Sequence, residues 1–183
     1  MTTKKAAFYF DDPEEGLAPE TSHPAFVKTC VGDFFFDQGD EFAPFGGDAG
    51  NDTLRSLEDW LRGKKPAKVR AFVDHLLEDW GFTLPDLLET RASVVKEWLG
   101  DPELMIYVPE VNQLLIAAAF GQLKITGRVE PAVLELAVAA AAREKVVTAH
   151  GRRKNPAWSH ADEKEAADAR IRKALTAMKK LTL

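Results

Sequence analysis

Acidic side chains are concentrated between residues 33 and 60, where the chain reads DFFFDQGDEFAPFGGDAGNDTLRSLEDW. Carboxylate oxygens are the ligands that Ca²⁺ and Mg²⁺ prefer, so metal binding is the first chemistry that this segment suggests. The twelve residues from Asp37 to Asp48 have the length of a calcium-binding loop. Their order does not fit one, because Phe42 occupies the sharp-turn glycine position and Asp48 replaces the bidentate glutamate. A metal-dependent hydrolase or ligand-binding domain stays as an alternative, and it would use Asp33, Asp37, Asp40, Asp48 and Asp52.

Other catalytic patterns are missing from the sequence. Zinc ligands would have to come from residues without paired spacing, namely Cys30, His23, His75, His150 and His160. No GxSxG element is present, and the glycines of Gly46–Gly50 follow neither GxGxxG nor the P-loop. His75 borders an apolar stripe and fits the edge of a core. We therefore predict no catalytic residues, no bound metal, no cofactor and a non-enzymatic role.

Composition and charge indicate a globular protein with an uneven charge distribution. The chain has 183 residues, of which 45% are hydrophobic, and a net charge of −5. Residues 1–63 hold 13 acids and 5 bases, whereas residues 143–183 hold 5 acids and 11 bases. An acidic head and a basic tail attract each other, within one chain or between chains. The overall negative charge argues against nucleic acid as the main partner.

The sequence shows no signal peptide and no apolar run long enough to cross a bilayer. Its single cysteine, Cys30, excludes an internal disulfide and fits a reducing compartment. We expect a cytoplasmic location without membrane contact.

Helical spacing of apolar residues dominates the chain after residue 51. Proline at the first helical position and glycine after the last mark several of these segments. The alanine-rich segment from Pro131 to His150 permits close approach of its neighbours, so we expect it to be central or to face a second copy in a homodimer. Asp52 and Ser159 are predicted N-caps, and Leu175 and Met178 are predicted to face inward. The predicted helices cover residues 52–63, 66–81, 85–100, 109–123, 131–150 and 159–180.

The first 51 residues lack a helical period. Ala6–Phe10 is predicted to form a short strand, and Phe34–Phe36 a strand that runs into an ordered loop. The predicted fold is a mainly α-helical, single-domain bundle of about six helices. Residues 1–51 would form a small β or irregular acidic head, and residues 52–183 the bundle.

The segment with the most unusual composition also carries a family resemblance. His23-Pro24-Ala25-Phe26, followed by the string that begins at Asp33 and ends at Trp60, resembles the opening of the YfeS-like family of uncharacterised bacterial proteins. The resemblance covers residues 23–61 and implies a bacterial, cytoplasmic protein. It supplies no catalytic residues.

The remaining interpretation of the acidic loop is recognition of another protein. A loop stiffened by aromatic residues and glycines presents a fixed negative surface, which can occupy a basic cleft. The sharpest hypothesis is an immunity-type inhibitor that masks the active site of a bacterial toxin, for example a nuclease. The alternative of a DNA-binding regulator would use Arg152, Arg153 and Lys154. The predicted partner-binding residues are Asp37, Asp40, Glu41, Asp48 and Asp52.

Overall fold

The protein is mainly α-helical, as the computed structural model shows for residues 8–63 and 68–182. Seven α-helices and two short 3₁₀ segments lie within these ranges, close to the predicted number. The α-helices are α1 (Pro24–Thr29), α2 (Gly47–Arg62), α3 (Val69–Trp80), α4 (Ala92–Trp98), α5 (Leu104–Thr126), α6 (Pro131–Lys154) and α7 (Ala161–Met178). The 3₁₀ segments are Asp33–Phe36 and Lys179–Leu181.

Helix α5 is the core of the molecule, and α1, α2, α3, α4 and α6 all pack against it. It is apolar on all sides, which is typical of a helix surrounded by protein. Among the described residues it is the one helix long and apolar enough to cross a membrane, but 61% of its apolar window is buried inside the protein. We treat it as a core helix.

Helix α5 begins earlier than predicted. Asp101 Oδ1 accepts hydrogen bonds from the amides of Glu103 and Leu104, both at 2.9 Å. This cap starts the helix five residues before Pro109, which therefore lies inside it. The predicted start at Pro109 is wrong because a side-chain cap outweighs the preference of proline for the first turn.

Helix α6 packs between α5 and α7, and alanines such as Ala137 and Ala140 are fully buried in these contacts. Their small side chains let the helices approach closely. The helix continues to Lys154, four residues beyond the predicted end. At the C-terminus, α7 begins at Ala161 rather than directly after Ser159, and Leu175 and Met178 are buried as predicted.

The predicted helix over residues 85–100 is largely wrong, because α4 covers Ala92–Trp98 alone. The preceding residues form turns and bends. The guanidinium of Arg143, which is fully buried, donates to the backbone carbonyls of Leu87 (2.6 Å) and Glu89 (3.2 Å). These carbonyls are satisfied by a distant side chain instead of a helical ladder.

The prediction of a β element in the head is also wrong for the described residues. These residues contain two isolated β-bridges and no strand. Phe8–Phe10 forms no strand, and residues 6 and 7 lie outside the described ranges. Phe34–Phe36 belongs to a 3₁₀ turn, whose three residues per turn send consecutive rings in different directions. Phe35 stacks on Phe120 of α5 with ring centroids 5.7 Å apart, so the turn is fixed to the core.

Candidate binding groove

The part of the predicted acidic segment that precedes α2, Asp37–Phe45, is called the acidic loop below, and its own carboxylates shape it. Asp37 Oδ1 accepts hydrogen bonds from the amides of Gly39 (2.8 Å) and Asp40 (3.2 Å). Asp40 Oδ1 accepts one from the amide of Phe42 at 2.9 Å. Such local side-chain to backbone bonds are typical of aspartate in turns. Asp37 and Asp40, two of the four predicted partner-binding aspartates, therefore have a structural role in the turn.

Two glycines let the acidic loop turn back closely onto the start of α2. A Cβ atom at Gly46 would lie 1.6 Å from the carbonyl oxygen of Asp40. A Cβ atom at Gly50 would lie 2.7 Å from the carbonyl oxygen of Pro44. No other residue type fits without displacing the backbone. The predicted role of the glycines in ordering the loop thus has a steric basis.

A residue not singled out from the sequence, Gln113 of α5, holds the end of the acidic loop. Its Nε2 donates to the carbonyls of Ala43 (2.8 Å), Pro44 (3.2 Å) and Gly46 (3.3 Å). These three residues are buried, so their carbonyls need a donor. The adjacent polar residues Asn112 and Gln113 within the mainly apolar α5 were the available signal.

A groove of about 510 Å³ lies between the acidic loop and α7. The ring of Phe42 lines it from the loop, and the ring of Phe34 from the 3₁₀ turn. The structure therefore brings the acidic head beside α7, a helix with four acids and four bases within the net-positive residues 143–183. The charged residues that line the groove are Asp40, Glu41, His160, Glu163 and Arg170.

The groove carries more negative than positive charge. His160 Nδ1 lies 2.8 Å from Glu163 Oε2, and this hydrogen bond raises the pKa of His160, with a smaller contribution from Glu41. The Arg170 guanidinium lies 5.3 Å from the ring centroid of Phe34, in cation–π geometry. The groove lining therefore contains three carboxylates, one arginine and one titratable histidine, and the carboxylates are those of Asp40, Glu41 and Glu163.

A buried polar network lies behind the groove. Lys164 Nζ contacts Glu144 Oε2 at 2.7 Å and Asp168 Oδ1, and it lies 5.9 Å from the ring centroid of Phe42. Burial lowers the pKa of Lys164, but the two carboxylates outweigh burial, so the pKa is raised. Thr148 donates to Asp168 at 2.9 Å. The ammonium is satisfied within the protein and fixes α7 to α6.

The other predicted partner-binding residues do not line the groove. Asp48 and Asp52 are exposed on α2, one helical turn apart. The prediction that Asp52 is the N-cap of α2 is wrong, because α2 begins at Gly47. Asp37 is exposed on the acidic loop, outside the groove lining. Of the five predicted residues, the structure brings Asp40 and Glu41 together with α7.

The predicted zinc candidates have other surroundings. Across the described ranges, no three His, Cys, Asp or Glu residues are grouped so that they could hold a metal ion. Cys30 is buried in the core, and burial raises the pKa of its thiol. His23 Nδ1 accepts the amide of Ala25 at 3.0 Å and caps α1. His75 is exposed and lies against Trp60, with ring centroids 5.9 Å apart.

The basic cluster proposed for DNA forms the last turn of α6. Arg152 pairs with Asp162 and, at 3.3 Å, with Glu165, both on α7. Arg153 and Lys154 are exposed. Burial lowers the pKa of the neighbouring His150, and the charges of Lys154 and Arg153 lower it further. Part of the positive charge is therefore neutralised by α7.

A buried cation in the core was also missed from the sequence. Lys124 is fully buried, and its Nζ lies 2.6 Å from Asp11 Oδ1 and 3.2 Å from Glu58 Oε1. It also donates to the carbonyl of Tyr9 at 3.0 Å. This ion cluster fixes the N-terminal arm to α2 and α5. A lysine at the end of an apolar helix gave no indication of burial.

The fold and the groove define a mainly helical protein with an acidic loop fixed against a core helix. The chain is 32% identical over 140 residues to the uncharacterized protein YfeS of Escherichia coli (strain K12). It belongs to the YfeS-like family, as the resemblance over residues 23–61 predicted, and the similarity extends over 76% of the chain. The match covers 57% of that relative, so the chain spans little more than half its length. No protein-family model and no solved structure matches the chain.

Proposed function

We propose that this protein is a non-catalytic binding protein whose groove receives a cationic side chain of a partner protein. The observation that carries the proposal is that the carboxylates of Asp40, Glu41 and Glu163 line the same groove as the rings of Phe34 and Phe42. Carboxylates attract an arginine or lysine, and an aromatic face adds cation–π attraction. Arg170 on Phe34 is an example of this contact within the chain.

The acidic loop is well suited to binding because its shape does not depend on a partner. Hydrogen bonds from Gln113, the aspartate turns and the close approach at Gly46 hold it in place. A preorganised loop loses less conformational entropy on association. The sharper form of the proposal is an immunity-type inhibitor that masks the active site of a toxin, such as a nuclease with a basic cleft.

The two alternatives lack a supporting observation. A metal-dependent site would need grouped ligands, which the described residues do not provide. A DNA-binding role would need a free basic surface, whereas Arg152 is paired with two acids of α7. We therefore retain the binding proposal alone.

The test is affinity purification from the source bacterium, followed by binding measurements with the purified partner. The double variant Glu41→Lys/Glu163→Lys should weaken binding by about tenfold or more, because it places like charges opposite the cation. The control Asp48→Lys/Asp52→Lys makes the same charge change on the exposed face of α2 and should leave affinity nearly unchanged. Equal losses in both variants would reject the groove as the binding site.

The immunity form needs its own experiment. Toxins encoded beside the gene would be expressed with and without the protein, and growth would be measured. Protection by the native chain but not by the Glu41→Lys/Glu163→Lys variant is expected. If no adjacent product is toxic, or if protection is absent, the immunity form is rejected while the binding proposal can still be tested with the purified partner.

A further inference from the structure

A second, smaller hollow of about 160 Å³ lies between α6 and α7, formed by residues other than those of the groove. Its apolar lining comes from Val138, Ala141 and Ala142 of α6 and from Leu175 of α7. An apolar cavity of about 150 Å³ accommodates a molecule of the size of benzene. The hollow therefore has room for an apolar body of about six carbon atoms.

Arg172 lines the same hollow, and its Nη1 is buried without a hydrogen-bond partner among the described residues. No ion pair joins Arg172 to any carboxylate in the described part of the chain. A guanidinium remains charged at physiological pH, and a buried donor without an acceptor is unfavourable. Arg172 therefore lines the hollow as a cation that no carboxylate in the described part of the chain neutralises.

Lys179 adds a second positive charge at the same hollow. It follows α7 directly, in the 3₁₀ segment that ends the bundle. Two cations beside an apolar lining are complementary to a molecule with a negative head and a short apolar body. Among anions, a carboxylate matches the planar fork of a guanidinium.

We propose that the hollow between α6 and α7 binds a small carboxylate with an apolar body of about six carbons. Arg172 and Lys179 hold the carboxylate, and Val138, Ala142 and Leu175 contact the apolar body. This site does not depend on the acidic groove or on its partner, because the two share no lining residue.

The proposal is tested by titrating hexanoate into the ¹⁵N-labelled protein and following backbone and arginine side-chain resonances. Saturable shifts at Val138, Leu175 and the Arg172 side chain are expected. Hexanol, which has the same apolar body without charge, should bind at least about tenfold more weakly, because a charge-assisted hydrogen bond is lost. Equal binding of hexanol, or shifts that never saturate, would overturn the carboxylate site.

Two variants test separately how the charge of Arg172 and the apolar hollow contribute to hexanoate binding. Arg172→Met should weaken hexanoate binding about tenfold while retaining the apolar surface, and Lys173→Met, an exposed neighbour outside the hollow, is the matched control. Ala142→Leu fills the hollow with Arg172 in place and should remove binding of both probes. Circular dichroism confirms that each variant is folded. Native-like hexanoate affinity in folded Arg172→Met or Ala142→Leu would reject the proposal.

Discussion

At the scale of single residues, buried charges decide how the N-terminal arm is held. Lys124 forms ion pairs with Asp11 and Glu58, and both acids are nearly inaccessible to solvent. Exposed arginines support the acids from outside, with Arg62 at 3.2 Å from Glu58 and Arg55 at 3.5 Å from Asp11. Removing one member of such a cluster leaves a buried charge uncompensated.

We expect Lys124→Met to lower the free energy of unfolding by about 3 kcal/mol, because two buried carboxylates lose their shared cation. Urea unfolding monitored by circular dichroism provides the measurement. Lys96→Met, at an exposed position of α4, is the control and should change stability little. A similar small change in Lys124→Met would show that the cluster contributes no net stability.

His23 makes the free energy of unfolding decrease as the pH falls. Burial lowers its pKa below the usual 6.5, and the neutral ring caps α1 by accepting the amide of Ala25. The unfolded chain takes up a proton more readily than the folded chain. The contribution of His23 is therefore complete above about pH 6.5 and is lost as pH falls through the lower folded pKa.

We expect His23→Asn, which keeps a capping acceptor without titrating, to lose less stability than the native protein between about pH 7.5 and pH 5. Urea unfolding of both proteins at the two pH values measures this difference. His160→Asn should change the slope in the opposite direction, because the pKa of His160 is raised by Glu163. Identical slopes for the native protein and His23→Asn would contradict the assignment.

At the scale of elements, the start of α3 depends on a residue far away in the chain. Glu130 accepts hydrogen bonds from the amides of Val69 (2.7 Å) and Arg70 (3.2 Å). Gln122 fixes the same carboxylate at 3.2 Å. Lys68 precedes the helix without a side-chain cap. Glu130 therefore replaces the local N-cap that the sequence lacks.

Replacing Glu130 by alanine should lower the free energy of unfolding by about 1–2 kcal/mol, the usual cost of losing an N-cap. Hydrogen exchange at the amides of Val69 and Arg70 should accelerate at the same time. Glu135→Ala, exposed one turn further along α6, is the control and should alter neither quantity. Unchanged exchange in the Glu130 variant would show that the cap is not formed in solution.

The turn between the acidic loop and α2 leaves no space for a side chain at Gly46. Gly46→Ala would place Cβ 1.6 Å from the carbonyl oxygen of Asp40. At Gly39 the corresponding atom would lie 3.3 Å from the flexible end of Asp37. We expect Gly46→Ala to cost more than about 2 kcal/mol in thermal unfolding, and Gly39→Ala to cost clearly less. Equal effects would contradict the close approach at Gly46.

At the scale of the whole molecule, the acidic head and the net-positive C-terminal part of the chain, residues 143–183, meet at the groove beside α7. The buried core cluster continues from Leu17 in the head to Met178 at the end of α7. The predicted acidic head covers residues 1–51 of a single domain, whereas α2 already begins at Gly47 and its first turn packs under the acidic loop. The buried alanines of α6, among them Ala137 and Ala140, lie in a helix that packs against α5 and α7, so their burial needs no second copy.

The single-domain organisation stays a prediction, and calorimetry tests it. We expect one unfolding transition whose calorimetric and van't Hoff enthalpies agree, because the core cluster is continuous. Sedimentation velocity in the same buffer would test the predicted homodimer. Two separated transitions would show that head and bundle unfold independently.

Much of the helical architecture was determined by the sequence, because helix formation depends on local spacing and local stops. Gly81 and Gly127 end α3 and α5 in the left-handed conformation, and the apolar spacing of α3 predicts that helix correctly from Val69 onward. Pro66, predicted to start that helix, lies outside the described residues. The sequence also shows directly that the acids of the loop lie close together along the chain.

Only the tertiary structure decided which acids act together and which backbone groups are satisfied. Glu41 and Glu163 line one groove although more than a hundred residues separate them in sequence, and the buried Lys124 is paired with Asp11 and Glu58. Arg143 holds carbonyls of the turns that replace a predicted helix. These outcomes depend on charges and donors that are distant in sequence, and local patterns carry no information about such pairings.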